Sequence, residues 1–228
     1  MIFVANYKMN GDKKFYQKAN RVFNKLESED TVVLCPPFVY MSSLKIKNKN
    51  VFLGAQDVSG EVNRASTGQI SPRMLKEFNV EYSIIGHSER REIGETDFMI
   101  ANKVHMSQEF NIVPIVCVGE RNKSDNLDIL TKQVGIALSR AQKNNVIFAY
   151  EPIWAIGTGE IPTVEQIDSA INVIKETALK CGFYVQVLYG GSVNLSNHNE
   201  IRKSTADGFL MGGVSLKLDD FIKIVKGE

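Results

Sequence analysis

Residues 146–188 read VIFAYEPIWAIGTGEIPTVEQIDSAINVIKETALKCGFYVQVL, and the spacing of apolar residues in this segment indicates the type of fold. Two short apolar runs, 146–149 and 185–188, enclose a segment whose apolar residues recur at the three- and four-residue steps of an amphipathic helix. That stripe consists of Val164, Ile167, Ile171, Ile174 and Ala178. Thr163 is placed to cap the helix and Gly182 to end it, so the stretch predicts a strand, a helix and a second strand.

The same alternation of apolar runs and amphipathic segments continues in both directions from this unit. Strands that are apolar on both faces are typical of parallel sheets covered by helices on both sides. The apolar runs are 2–5, 32–35, 51–54, 83–86, 112–117, 146–149, 185–188 and 208–211. Eight strands alternating with eight helical segments predict the α/β class and a (β/α)8 barrel, with residues 1–228 as a single domain.

The segments between the other runs also carry helical patterns. Helices are predicted at 13–26, 97–109, 127–143, 195–203 and 218–226, whereas 38–46 and 72–78 have room for one or two turns. An open doubly wound sheet is the alternative, and it requires a Gly-x-Gly-x-x-Gly turn after an early strand. No such turn is present in the sequence, so the barrel is favoured.

The composition excludes several classes of protein. Apolar residues make up 43% and charged residues 23%, which is the balance of a globular chain. A net charge of +1 argues against a nucleic-acid or anionic-membrane binder, so any phosphate is expected to be bound locally. No apolar run approaches the roughly 20 residues of a membrane span, and no signal peptide is recognisable at the start. Cys35, Cys117 and Cys181 lack metal-ligand spacing, which predicts reduced thiols in a cytoplasmic protein.

Polar residues follow the first and fourth runs, where a barrel places its chemistry. Asn6 and Lys8 project to the same side of the first strand, and Lys8 is open to two interpretations, a solvated strand end or a charge in the barrel mouth. His87 is followed by Glu89 and two arginines. A lone histidine is more often structural than catalytic, but a helix that begins there would favour a neutral imidazole by disfavouring the cation.

The sixth run ends at Glu151, and a long loop follows. A carboxylate directly after a buried strand is exposed to desolvation, which favours a general base. Residues 152–162 then separate it from the helix cap, whereas most strand–helix loops have about two to six residues. The loop carries Trp154 and is bounded by Pro152 and Pro162, which indicates a lid that closes over a ligand rather than a surface loop.

Paired glycines follow the seventh and eighth runs, at 190–191 and 212–213. A glycine pair lets backbone N–H groups approach an anion closely, although one pair alone usually marks only a turn. Barrels commonly bind phosphate after these two strands, so the two pairs together indicate a phosphate site.

Taken together, these segments resemble the triosephosphate isomerase family from end to end. The matching segments are NYKMN (6–10), GAQD (54–57), TGQIS (67–71), IIGHSERR (84–91), VCVGE (116–120), YEPIWAIGTG (150–159), YGGSV (189–193) and GFLMGG (208–213). The resemblance implies interconversion of dihydroxyacetone phosphate and D-glyceraldehyde 3-phosphate through an enediolate. It also implies a carboxylate base paired with a neutral imidazole, as in other members of that family.

The resemblance implies a role for each of five polar residues. Glu151 is the base that moves a proton between adjacent carbons, and His87 is the neutral electrophile that donates a hydrogen bond to the enediolate. Lys8 supplies fixed positive charge and Asn6 a hydrogen bond to a substrate oxygen. Glu89 matches a supporting carboxylate beside Lys8 and the base.

The resemblance also implies how the substrate's phosphate is bound and what else is needed. The phosphate is expected at backbone groups of Gly157, Ser192, Gly212 and Gly213, with the lid excluding water. Neither a metal nor an organic cofactor is implied. The family is usually dimeric, with a loop corresponding to about 57–71 reaching into the partner near Asn6 and Lys8, so a homodimer is expected.

Two positions depart from the family pattern. The lid ends in Glu160-Ile161-Pro162, where many members carry a basic residue and small ones, and Pro162 is expected to alter lid kinetics without abolishing closure. Gln69 occupies a position where glutamate is common in the interface loop, which predicts the loss of an ion pair between subunits. Neither departure changes Lys8, His87 or Glu151.

Other functions remain as alternatives at this point. A Schiff-base aldolase requires a lysine within a strand such as the sixth, and 146–151 contains none. A metal-dependent epimerase requires ligands on several strands, whereas only His87 among the histidines ends one. A non-catalytic binding protein of the same fold typically lacks the base or the electrophile, and this chain has both. Cys117, which follows the fifth strand, is interpreted as a packing residue rather than a nucleophile.

Overall fold

Eight parallel strands close into a barrel in chain order, β1 pairing with β8, as the sequence predicts. The structure is a computed structural model and describes residues 1–62, 64–155 and 160–228. The strands are β1 Ile2–Asn6, β2 Thr31–Cys35, β3 Val51–Ala55, β4 Val80–Ile85, β5 Val113–Val118, β6 Ile147–Tyr150, β7 Gln186–Tyr189 and β8 Gly208–Met211. The (β/α)8 prediction is therefore confirmed.

Helices surround the barrel. They are α1 Lys13–Asn24, α2 Pro72–Glu77, α3 Ser88–Glu92, α4 Asp97–Glu109, α5 Asp128–Leu138, α6 Val164–Lys180, α7 His198–Ile201 and α8 Leu218–Lys226. Short 3-10 turns occupy Phe38–Ser43, Ile153–Ala155 and Gly213–Leu216. No described helix is long and apolar enough to cross a bilayer.

Strand alternation separates two apolar clusters, and this separation positions the site. In β1, Ile2 and Val4 join a cluster drawn only from strands, which fills the barrel interior. Phe3 and Ala5 face the opposite way and pack with helix residues in the outer cluster. Because side chains alternate along a strand, the residue that follows Val4 on the inner face is Asn6. The carboxyl end of β1 therefore directs a polar side chain into the barrel mouth.

Two predicted helices are shorter than their patterns indicated. The segment predicted at 127–143 leaves the helix after Leu138, because the backbone N–H groups of Gln142 and Lys143 donate to the Gln108 side chain on α4. The segment predicted at 195–203 is helical only over α7. There, the Asn194 side chain accepts from the backbone N–H of Ser196, which organises a turn in place of the first helical residues.

Candidate active site

One cavity at the carboxyl ends of the strands brings together most of the predicted site residues. It has a volume of about 370 Å³. Its lining includes Asn6, Lys8, His87, Glu151, Ser192, Gly212 and Gly213. Glu89 lies beside it and lines the neighbouring groove that shares Asn6 and His87. The predicted phosphate ligand Gly157 lies outside the described residues.

Glu151 reaches the cavity because it continues the inner phase of β6. Ile147 and Ala149 belong to the barrel interior, and Glu151 is the next inward position, only 2% exposed. One carboxylate oxygen, Oε2, accepts from the Ser88 backbone N–H at 3.2 Å, and Oε1 lies 3.2 Å from His87 Nε2. A buried carboxylate held between two N–H donors is fixed in position at the mouth of the barrel.

Gly86 ends the alternation of β4 and sets the direction of His87. Its φ of +70° lies in the left-handed region, and a Cβ there would come within 2.6 Å of Ile100 Cδ1 on α4. A residue with a side chain is therefore disfavoured both by conformation and by space. The turn places His87 at the N-cap of α3, where its side chain is 8% exposed.

The hydrogen bonds of His87 define its tautomer. Its Nδ1 accepts from the Glu89 backbone N–H at 3.2 Å, the first turn of α3. A nitrogen that accepts from an N–H carries no proton, so the ring is neutral and the proton is on Nε2. The Glu89 carboxylate lies 3.6 Å from Nδ1, beyond hydrogen-bond distance, and does not compete with that contact. Nε2–H then points at Glu151 Oε1.

Lys8 is held in a strained conformation at the mouth. Its φ is +51°, which is uncommon for a residue with a side chain and indicates a position fixed by its surroundings. Its carbonyl accepts from Gln56 Nε2 at 2.9 Å, and its N–H donates to Asn6 Oδ1 at 3.1 Å. Its ammonium lies 2.7 Å from Glu89 Oε1. The side chain therefore presents a fixed positive charge to the cavity.

The two turns that contain the glycine pairs supply both space for the base and backbone N–H groups for an anion. A Cβ on Gly190 would lie 2.9 Å from Glu151 Cγ, and its N–H already donates to Tyr150 O, so Gly190 makes space for the carboxylate. Ser192 and Gly213 differ, because within the described ranges their N–H groups donate to no protein acceptor. These two N–H groups are available to an anion in the same cavity.

Glu120 lies in the VCVGE segment, and its contacts with the loop were not predicted from the sequence. Its buried carboxylate accepts from Tyr150 Oη at 2.8 Å and from Trp154 Nε1 at 2.7 Å. Burial, followed by the Glu120 carboxylate, raises the pKa of the Tyr150 phenol well above its usual range. Glu120 thus ties the start of the 152–162 loop to the strand that bears the base. Its position two residues after the end of β5 is the signal in the sequence that could have indicated this role.

Cys117 lies beneath the base and is 1% exposed. Burial raises the pKa of this thiol, and the neighbouring Glu151 carboxylate raises it further. A thiol in such surroundings stays protonated and is a poor nucleophile. The described residues contain no group of three or more His, Cys, Asp or Glu side chains arranged to hold a metal ion.

Comparison with known proteins gives a consistent result. The family model described as triosephosphate isomerase matches residues 1–228. Curated proteins with that name are similar to this chain along most of its length. One from Buchnera aphidicola subsp. Cinara cedri is 39% identical, with 99% of this chain and 97% of the relative covered. Another from Thermoanaerobacter sp. (strain X514) is 41% identical over 87% of each chain, and one from Acetivibrio thermocellus is 39% identical over 99% and 97%.

The comparisons and the geometry agree. A whole-chain family match and relatives near 40% identity accompany a cavity that contains a buried carboxylate, a neutral imidazole and a fixed ammonium. The chain belongs to the triosephosphate isomerase family.

Proposed function

We propose that Glu151 and His87 perform the proton transfer by which this family member interconverts dihydroxyacetone phosphate and D-glyceraldehyde 3-phosphate. The observation that carries the proposal is the 3.2 Å separation of Glu151 Oε1 and His87 Nε2 in one cavity beside Lys8. A three-carbon substrate bound there contacts the base and the electrophile together.

The contact between His87 and Glu151 also suggests how substrate activates the base. A substrate carbonyl oxygen that accepts from His87 Nε2–H replaces Glu151 Oε1 as the acceptor. Oε1 is then free to take the proton from the carbon next to the carbonyl, and the negative charge moves to the oxygen that faces Nε2–H and Lys8. The hydroxyl proton on the first carbon then passes to the former carbonyl oxygen, with His87 Nε2 positioned to relay it, so that the negative charge moves to the other oxygen. Return of the first proton from Glu151 to the neighbouring carbon completes the isomerisation.

The substrate's phosphate is proposed to bind at the opposite side of the cavity. Support comes from the Ser192 and Gly213 N–H groups, which have no acceptor among the described residues. A further contribution from Gly212 and Gly157 and closure of the 152–162 loop follow from the family resemblance. Exclusion of water by that closure protects an enediolate from losing phosphate.

A coupled assay with each triose phosphate tests the assignment. Glu151→Asp withdraws the carboxylate by about one methylene, so kcat is expected to fall by about 10²-fold or more while the protein stays folded. Glu165→Asp, an exposed residue on α6, is the matched control and is expected to keep full activity. Unchanged turnover in Glu151→Asp would exclude Glu151 as the base.

We also propose that the protein is a cytoplasmic homodimer. The groove next to the active site supports the dimer, since it is lined by Asn6, His87 and the 56–58 and 68–70 segments and has a volume of about 220 Å³. Two large apolar side chains close in sequence to the groove residues Asn6 and Phe38 are exposed, Met9 at 95% and Val39 at 79%. Exposed apolar surface of this kind is typical of an interface. The free thiols Cys35, Cys117 and Cys181 support a reducing compartment.

Sedimentation velocity tests the dimer. Met9→Glu introduces a charge at the proposed interface and is expected to shift the protein toward monomer and to make specific activity fall on dilution. Leu179→Glu, which is 53% exposed on α6, is the matched control and should leave the sedimentation coefficient unchanged. A wild-type protein that sediments as a monomer at micromolar concentration would exclude the proposal.

A further inference from the structure

The near-zero net charge conceals a strong separation of charge along the chain. Residues 1–50 contain nine Lys or Arg and four Asp or Glu, a formal charge of +5, so residues 51–228 carry −4. The segments 13–26 and 31–56 contain no acidic residue at all. A global net charge therefore says little about the local surface that these segments form.

Four basic residues lie along one face of α1 and the residue that caps its C-terminus. Lys14, Lys18, Arg21 and Lys25 are spaced at i, i+4, i+7 and i+11, which places them in one row on a helix, and all four are exposed. The buried residues of α1, Tyr16, Ala19 and Phe23, lie on the opposite face. This helix row spans about 16 Å at the rise of an α-helix.

Three further lysines form a second row beside the first. In 45–50, the exposed residues Lys45, Lys47 and Lys49 alternate with half-buried ones. The segment is fixed against α1, because the backbone N–H groups of Lys45 and Lys47 donate to Asn20 Oδ1 at 2.9 Å and Asn24 Oδ1 at 2.6 Å. The lysine row is therefore held next to the helix row by asparagine side chains.

Two further asparagines, Asn48 and Asn50, fix the C-terminal end of the 45–50 segment. Asn48 Nδ2 donates to the carbonyls of Phe23 at 3.1 Å and Leu26 at 2.7 Å, and Asn50 Nδ2 donates to Ser28 O at 2.7 Å. The segment thus descends along α1 from the 3-10 turn toward the start of β3. The two rows, which together we call the basic face, lie on the flank of the barrel.

The seven cations of the basic face have no acidic partners. None forms an ion pair with a described residue. Glu27 and Glu29 follow α1, and Glu81 lines a groove with Lys45 and Lys47, so acidic residues border the face without crossing it. Seven unpaired charges on one face repel each other, and an anionic partner relieves that repulsion.

We propose that the basic face binds the phosphate backbone of duplex nucleic acid without sequence specificity. A duplex carries one charge per about 1.7 Å, so the 16 Å length of the helix row faces about nine phosphates, a number comparable to seven cations. Six of the seven cations are lysines, which act as point charges rather than as bidentate readers of bases.

One observation favours a duplex over single-stranded nucleic acid and over a lipid surface. Binding of single strands relies on exposed aromatic side chains for stacking, and binding at lipid surfaces relies on apolar side chains that insert. The large exposed apolar residues of the described chain include none from 13–25 or 44–50. Within these two segments, phosphate attraction is therefore the main contribution to binding, and Phe78 borders the lysine row in the groove that it lines with Lys45 and Lys47.

Fluorescence anisotropy of a labelled random-sequence duplex, titrated with the full-length protein over a range of potassium chloride concentrations, tests the proposal. RNA and DNA duplexes are separate arms, and both are expected to bind with a dissociation constant of about 10⁻⁶–10⁻⁴ M at physiological salt. The logarithm of the affinity should fall linearly with the logarithm of salt, with a slope no steeper than about −6 for seven contacts.

Charge reversal identifies the surface. The triple variant Lys45→Glu, Lys47→Glu, Lys49→Glu is expected to weaken binding at least about tenfold and to reduce the salt slope by nearly 3. The matched control Lys132→Glu, Lys180→Glu, Lys226→Glu changes the net charge equally at exposed positions elsewhere and should retain most of the affinity. Both variants should keep wild-type isomerase activity, which reports correct folding.

Several outcomes would overturn the proposal. Absence of salt-dependent binding would show that the basic face is only a solvated surface. Equal losses in the two triple variants would show attraction by net charge rather than by this face. Binding to vesicles of phosphatidylcholine and phosphatidylserine that depends on the lysine row, without binding to either duplex, would assign the face to a membrane surface instead.

Discussion

At the scale of single residues, the site depends on backbone positions that fix side-chain direction. Gly86 breaks the alternation of β4 so that His87 caps α3, and Lys8 reaches the mouth through a left-handed conformation. Glu151 requires no unusual backbone conformation, because the alternation of side chains in β6 already directs it inward. The electrophile and the cation therefore depend on local geometry that the base does not require.

His87→Gln tests the importance of the neutral imidazole. The expected result is a fall in kcat of about 10²-fold or more, because a positioned acid–base group contributes about that much. The coupled assay measures it. His105→Gln on α4, outside the cavity, is the control and should keep wild-type kcat. A His87→Gln variant with full activity would contradict the proposed electrophile.

At the scale of elements, Lys123 connects the two ends of the 152–162 loop. Its ammonium lies 4.9 Å from the centre of the Trp154 ring and 3.0 Å from Glu160 Oε2. Trp154 is also bound to Glu120 on the barrel side. The acidic residue at 160, where many family members carry a basic one, thus has a specific basic partner in this chain.

Lys123→Met removes the charge and keeps a side chain of similar length. Since Trp154 is the single tryptophan of the chain, its fluorescence reports on this place alone. The emission maximum is expected to shift in Lys123→Met, and high salt should shift the wild-type emission in the same direction because the exposed pair is screened. Lys132→Met is the control. Identical spectra for the wild type and Lys123→Met would contradict this arrangement.

The helix α6 begins with a reciprocal cap. Thr163 Oγ1 accepts from the Gln166 N–H, and Gln166 Oε1 accepts from the Thr163 N–H at 2.9 Å. This pair satisfies two N–H groups that the helix itself leaves without partners. It also fixes where the loop 152–162 ends.

Thr163→Ala removes half of that cap. We expect a loss of about 1 kcal/mol in the free energy of unfolding, measured by urea denaturation. Ser169→Ala on the same helix is the control, since its hydroxyl donates only to Glu165 O within the helix, and the expected change is within about 0.5 kcal/mol. Equal changes in the free energy of unfolding of both variants would show that the cap does not stabilise the protein more than the Ser169 hydroxyl does.

At the scale of the whole molecule, Arg202 joins the two ends of the chain. It donates to the carbonyls of Ile224 at 2.5 Å and Val225 at 3.1 Å near the end of α8, and its guanidinium lies over the rings of Phe3 and Phe209. A single side chain thus contacts β1, β8 and α8, the elements at which the barrel closes.

His198 lies beside this junction, is 1% exposed, and its Nδ1 has no hydrogen-bond partner among the described residues. Burial, followed by the charge of Arg202, lowers the pKa of His198, whereas a hydrogen bond with the Glu228 backbone opposes that shift. The folded state therefore favours the neutral ring. Its contribution to stability is complete above the ordinary pKa of 6.5 and is lost as the pH falls below that value.

His198→Leu removes this titration. Urea unfolding at about pH 7.5 and about pH 5.5 should show that the variant loses less stability on acidification than the wild type does, because only the unfolded state of the wild type gains a proton readily in this range. An equal loss in the two proteins would show that protonation of His198 does not contribute.

Much of the fold followed from the sequence because the relevant patterns are local. Eight doubly apolar runs specify strands covered on both faces, and Thr163 and Gly182 mark the ends of α6 correctly. The lengths of α5 and α7 did not follow, because side chains distant in sequence or outside the helical pattern take the backbone hydrogen bonds that a longer helix would use.

By itself, the sequence determined the barrel, the family and the residue types of the site, since hydrophobic periodicity and motif spacing are properties of the chain. Only the tertiary structure decided which groups touch. The contact of His87 with Glu151, the anchoring role of Glu120 and the pairing of the lysine row with α1 depend on contacts between segments far apart in sequence. These contacts form only when the chain folds into the closed barrel, so no local sequence pattern predicts them.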